Sequence, residues 1–189
     1  MNRVRNAHDF LDLDRGALAE ILRSGHPIDA TALAGYAYRG VSLGLPAIVD
    51  RVAWKTFRKC FHRDSPAAPI RGWNVRLEQN GLDAPSIPLR RRGEPFCFGH
   101  FHVVPTGGRG VPRGADRGLL LDDGLGGHAA LDPTRLLRDP LVALAPGGLD
   151  LLLGWSYLEI GGLRVPTPSF FTLEREGPLD HVARAPGSR

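Results

Sequence analysis

The sequence predicts a mainly β chain, an antiparallel closed or nearly closed barrel of about eight strands behind an N-terminal helical segment. Three observations predict it. Turn formers are abundant, with 24 Gly and 16 Pro among 189 residues, which implies many short elements joined by tight connections. Residues 70–79 alternate cleanly, setting Trp73, Val75 and Leu77 on one face and Asn74, Arg76 and Glu78 on the other, as a strand with a buried face does. Late in the chain, the extended runs 150–160 and 163–175 are separated only by Gly161-Gly162. Glycine accepts the positive φ angles of a two-residue hairpin turn because it has no Cβ to clash.

The elements follow in order. Asp14 caps a helix with the stripe Leu18, Ile21 and Leu22, stopped by Ser24-Gly25. A shorter Ala-rich helix after Asp29 ends at Gly35, so residues 1–35 read as a lid or strap leading into a barrel at 36–175. Residues 36–43 form the first strand, broken by Gly44 and Pro46; Pro46 then suits one or two helical turns before a strand that reaches His62. After the strand at 70–79, Asn80-Gly81 opens a loop rich in Pro and Arg. Residues 96–104 then read as a central strand, apolar on both sides, and 107–114 as a flexible Gly-rich connection. Strands at 117–122 and 136–144 precede the final hairpin, in which Pro166 and Pro168 delay regular pairing to about Ser169 because proline donates no ladder hydrogen bond. Residues 176–189 read as a flexible tail.

Composition narrows the function classes. The net charge of +4 is carried almost wholly by arginine scattered among acids, and its densest run, Arg90-Arg91-Arg92, lies in a loop between Pro88 and Gly93. A solvated surface is its ordinary meaning, and nucleic acid is not an expected partner. Cys60 and Cys97 fit neither a disulfide framework nor a paired-cysteine zinc site, and read as reduced thiols. Without a secretory leader or a membrane-length apolar run, the expectation is a cytoplasmic protein; its oligomeric state is not legible. Dinucleotide fingerprint, phosphate-cradling loop and nucleophile elbow are all missing, and no cofactor is expected.

Several stretches resemble one family group. Tyr36-Ala37-Tyr38-Arg39-Gly40 after a helical lead-in, Gly72-Trp73-Asn74, Leu121-Asp122-Asp123, and the closing Leu153-Gly154-Trp155-Ser156-Tyr157 to Phe170-Phe171-Thr172-Leu173-Glu174-Arg175 are similar to calycins, the lipocalin-like and fatty-acid-binding-protein-like barrels. The resemblance implies a small hydrophobic molecule bound inside the barrel or, as in some bacterial relatives, isomerase or cyclase chemistry there. Aromatic residues fall almost entirely in predicted strands, where they build a core or line a pocket. Tyr38, Trp73, Phe98, His100 and Tyr157 are the expected ligand-binding residues, with His100 and Tyr157 the candidates for moving a proton if the barrel is an enzyme. A third reading is a protein-interaction module with a filled core that shows Arg90–Arg92 to an acidic partner.

His100 and His102, two apart on a strand, share a face and suit a metal or acid–base pair, but no third ligand follows nearby and no metal is expected. Arg39 and Arg76 lie within strands. Inward, either would select a ligand with an anionic end, although an exterior ion pair explains Arg76 more simply. Asp122 and Asp123, being adjacent, face opposite sides and read as turn residues.

Overall fold

The computed structural model describes residues 6–44 and 55–187. Eight strands close into an antiparallel barrel in which every strand pairs with its neighbours in sequence: β1 (Tyr36–Leu43), β2 (Thr56–His62), β3 (Arg71–Arg76), β6 (Cys97–Pro105), β7 (Leu119–Asp122), β8 (Leu137–Ala143), β9 (Leu151–Ile160) and β10 (Leu163–Pro178). The expected eight-strand meander is therefore present, and β1 closes it by pairing with both β2 and β10. Between β3 and β6, where the sequence suggested only a loop, the short pair β4 (Arg90–Arg91) and β5 (Glu94–Pro95) forms a separate hairpin. The helical turns expected after Pro46 fall outside the described residues, as does Trp54.

The hairpin turn between β9 and β10 has φ of 57° at Gly161 and 86° at Gly162, the left-handed conformation expected of it. β10 differs from expectation by pairing on both sides of its prolines: Leu163 to Pro166 face β9, the register breaks, and pairing resumes at Phe170. The break falls where Pro166 and Pro168 cannot donate to the ladder.

α1 (Arg15–Ser24) starts at Asp14, whose Oδ1 accepts the Ala17 N–H at 2.8 Å, and packs Leu18 and Leu22 outside the barrel against Val41, Val142, Leu153 and Phe170. Beyond it, His26 exchanges backbone hydrogen bonds with Ala143, and Ile28 and Leu33 enter the interior cluster. Residues 26–34 thus plug one end of the barrel. The stretch after β10, expected to be flexible, is held instead: Leu179 N–H donates to Gly35 O, the Arg71 guanidinium donates to Ala183 O, and Ala183 is buried against Trp73. No helix among the described residues is long and apolar enough to cross a membrane.

Three inward phenylalanines lie on glycines directly opposite them on the next strand: Phe57 on Gly40, Phe101 on Gly72 and Phe171 on Gly154. A Cβ at Gly72 would stand 2.4 Å from Cys60 O as well as inside the Phe101 ring. Neither the backbone nor a fully buried ring yields cheaply. Gly72→Ala is expected to destabilise the fold by about 1–3 kcal/mol, read as a lower urea midpoint, whereas Gly107→Ala, at an exposed glycine where a Cβ meets nothing within 4 Å, should cost less; equal losses would refute the ring-on-glycine account.

Candidate functional site

Register fixes which side chains face inward. Tyr38, Phe57, Lys59, Phe61, Phe101, Leu121, Asp139, Leu141, Phe171 and Leu173 lie on the inner face, because cross-strand partners share a side and these form one buried cluster around Lys59 and Asp139. Phe61 touches both Tyr38 and Phe101 edge-on, with ring centroids 5.4 and 5.7 Å apart, and Phe57 meets Phe171 at 5.9 Å. β2 and β8 stand on opposite sides of the barrel, yet Lys59 Nζ of one reaches Asp139 Oδ2 of the other at 3.0 Å. Walls joined by a direct side-chain contact leave no wide lumen between them.

This ion pair and Asp123 beside it are the most unusual chemistry in the molecule. All three side chains are buried, with relative exposures of 4% for Lys59, 5% for Asp139 and 2% for Asp123. The Lys59 ammonium also lies over the Phe101 ring at 4.7 Å and the Phe171 ring at 5.2 Å, which partly replaces its lost hydration. Burial, reinforced by the nearby Asp139 carboxylate, pushes Asp123 well above the usual carboxylate range, which favours its neutral form. A neutral acid beside an ion pair can move a proton in principle. Here the set is sealed from solute by its own burial.

Asp122 points the other way, as adjacency requires: it meets Arg109 at 2.9 Å and Arg138 at 3.1 Å on the outer face, while Arg138 also reaches Glu159 at 3.0 Å. The pairing of Asp123 with Asp139 was not legible in the sequence. Its signal was Phe57-x-Lys59-x-Phe61, which puts a lysine on the same face as two core phenylalanines.

The residues expected to line one pocket are dispersed. Tyr38 is inside. Phe98 sits at the Asn74 register position, towards the interior end that carries Arg76. Trp73 faces outward and is wholly buried beneath Ala183 and Leu179, so the apolar face of β3 is the outer one and Arg76 lies on the inner one, opposite Phe57, which corrects the exterior ion pair expected for it. His100 and Tyr157 are also outward, on β6 and β9, separated by β7 and β8. Arg39 is outside too, where its guanidinium donates to Gly81 O, Leu82 O, Ala84 O and Ser86 Oγ and clamps the 80–87 loop.

His100 and His102 share the outer face of β6, but no group of three or more metal-ligating side chains forms among the described residues. Burial, His128 and Arg71 push His100 down to about 4, leaving it uncharged near neutral pH. His128 Nε2–H donates to His100 O over 2.6 Å and its Nδ1 lies 3.2 Å from Asp132 Oδ2, so it ties residues 123–136 to β6.

Open space lies outside the wall. A cleft of about 370 Å³ runs between α1, residues 113–115 and the β9–β10 arm. Its floor is Trp155 stacked on Phe170 at 6.0 Å and 25°, with Trp155 Nε1 donating to Thr167 O so that the indole is fixed edge-on to β10. Leu22, Ala115, Pro166 and Pro168 extend the apolar lining, and Arg15, Arg23 and Arg113 form the rim. Arg23 is engaged by Glu20; Arg15 and Arg113 have no carboxylate partner among the described residues. No His, Cys, Asp or Glu lines this cleft.

No protein-family description, curated protein or solved structure matches the chain.

Two expectations follow from the interior charges. Lys59→Met strands the Asp139 carboxylate and is expected to cost about 3–5 kcal/mol, most of it recovered in the Lys59→Met/Asp139→Leu double variant, as urea unfolding would show. Additive losses would contradict the pairing. Asp123 binds its proton more tightly folded than unfolded, so its contribution to stability falls as pH rises above about 4. Asp123→Asn should therefore be more stable than the parent at pH 7 and indistinguishable from it near pH 3; a parent advantage at pH 7 would show that folding does not raise the pKa of Asp123.

Proposed function

We propose that the protein is a calycin-like binding barrel for a small, mainly apolar molecule with an anionic end, held in the outer cleft rather than in the lumen. The observation that carries this reading is the half-buried Trp155, backed by the buried Phe170 and rimmed by guanidinium groups. A flat aromatic floor takes up an apolar body, and an arginine rim pairs with carboxylate, sulfonate or phosphate. The volume of about 370 Å³ stands at the low end of ordinary ligand sites. The reading favours binding over catalysis because no His, Cys, Asp or Glu lines the cleft, its one hydroxyl, Thr167, donates to Ser156 O, and the acid–base candidates His100 and Tyr157 lie elsewhere and apart from each other.

The lumen supports the interior-ligand reading poorly. A guest there would have to part Lys59 from Asp139 and displace rings already in mutual contact.

Titration calorimetry with 1-naphthoate and its neutral amide tests the proposal. The acid should bind and the amide should bind at least tenfold more weakly, since a charge-assisted hydrogen bond contributes about 1.5–3 kcal/mol. Trp155→Ala should abolish binding of both, and Arg113→Glu should weaken the acid selectively. Binding that survives Trp155→Ala but is lost in Phe98→Ala would return the ligand to the barrel interior.

A further inference from the structure

On a different face, a groove of about 870 Å³ runs along the outside of β6 between the β4–β5 hairpin and residues 181–184. It gathers Arg91 and Arg92 from the hairpin with Arg184 from the far end of the chain. None of the three has a carboxylate partner among the described residues, and the acid lining the groove, Glu94, lies 3.9 Å from His181. Phe96 and His100, both half-buried, add flat rings to the lining.

The hairpin carries a further sign of function. Its turn residues are Arg92, with φ of 55°, and Gly93, with φ of 89°. Two left-handed residues in succession are the geometry that favours Asn-Gly or Gly-Gly, and an arginine in the first position is sterically disfavoured. The turn itself gains nothing from that side chain. A residue held in a costly conformation and aimed at a groove points to a role in the groove. The surroundings are firm: Arg90 Nη1 donates to Gly93 O at 2.8 Å, and Ala183, buried and bonded through its carbonyl to Arg71 at 2.9 Å, fixes the backbone beside Arg184.

We propose that this groove binds single-stranded nucleic acid, with Arg91, Arg92 and Arg184 on successive phosphates and the Phe96 and His100 rings offered to the bases. Guanidinium groups alone would serve an acidic peptide equally well. The flat rings in the same lining distinguish the two, because every base has a face to stack and an acidic side chain has none. His100, uncharged near neutral pH, adds a ring rather than a charge. Phe96 is held in place by stacking on Phe98 at 6.2 Å and 28°. The sequence argued against this partner because its arginines are scattered; the fold brings Arg184 beside Arg91 and Arg92.

Fluorescence anisotropy of the full chain with a labelled oligothymidine 12-mer tests the proposal. Binding should weaken roughly twentyfold between 50 and 200 mM salt, the dependence for three phosphates on a single strand at a slope of about −0.7 each. Arg91→Glu/Arg92→Glu should abolish it. Arg92→Gly, which suits the turn, should weaken binding while leaving the thermal midpoint equal or higher, and Phe96→Ala should weaken it without changing the salt slope. Trp155→Ala should leave it unchanged, which separates this site from the cleft. The proposal is overturned if the strand does not bind at 50 mM salt, if charge reversal leaves binding intact, or if an oligoglutamate of equal charge competes as well as unlabelled strand.

Discussion

The contact between Lys59 and Asp139 decides what kind of barrel this is. The two residues come from diametrically opposed strands, and their 3.0 Å approach draws the walls together around a packed interior. Barrels of eight strands enclose a volume that side chains alone can fill or that can hold one small ligand. Here the ring-on-glycine contacts take up the space: with no Cβ on Gly40, Gly72 or Gly154, a phenylalanine from the adjacent strand lies flat on the backbone. Open clefts must then form against the outer surface, where α1, the β4–β5 hairpin and the C-terminal stretch supply second walls.

A buried ion pair is weak evidence for stability, since desolvation can exceed the attraction it gains. The aromatic rings around Lys59 offset part of that cost through their electron-rich faces, and the upward shift of Asp123 disfavours a second negative charge in the interior. What the pair contributes most clearly is position. A one-residue slip of β2 would turn Lys59 outward and bring Arg58, which now meets Glu176 and Asp180, into the apolar interior.

The strand plan was legible in the sequence, and β1 and β9–β10 lie where alternation and Gly161-Gly162 put them. Alternation in residues 70–79 also separated the two faces of β3 correctly. It could not tell which face was inner. The usual assumption, apolar in and polar out, fails here because residues 179–183 cover Trp73 from outside while Asn74 and Arg76 line the interior. That cover comes from a segment about 110 positions later, which local periodicity cannot register. The same limit hid both clefts: Arg15 and Arg113, or Arg92 and Arg184, become neighbours only through the closed topology. His100 stood out by its spacing from His102, yet spacing on one strand says nothing about which strands could supply further ligands.

The seam joining β1 to β10 has a kinetic consequence. Tyr36 pairs with Pro178 and Leu43 with Phe170, so this ladder links residues more than a hundred positions apart. During synthesis β1 and β2 can pair early, but the free side of β1 waits for almost the whole barrel to leave the ribosome. Contacts of such long sequence separation slow folding because chain closure must precede their reward. In that interval the nascent chain presents an open strand border, the form of β-structure most prone to recruit another chain.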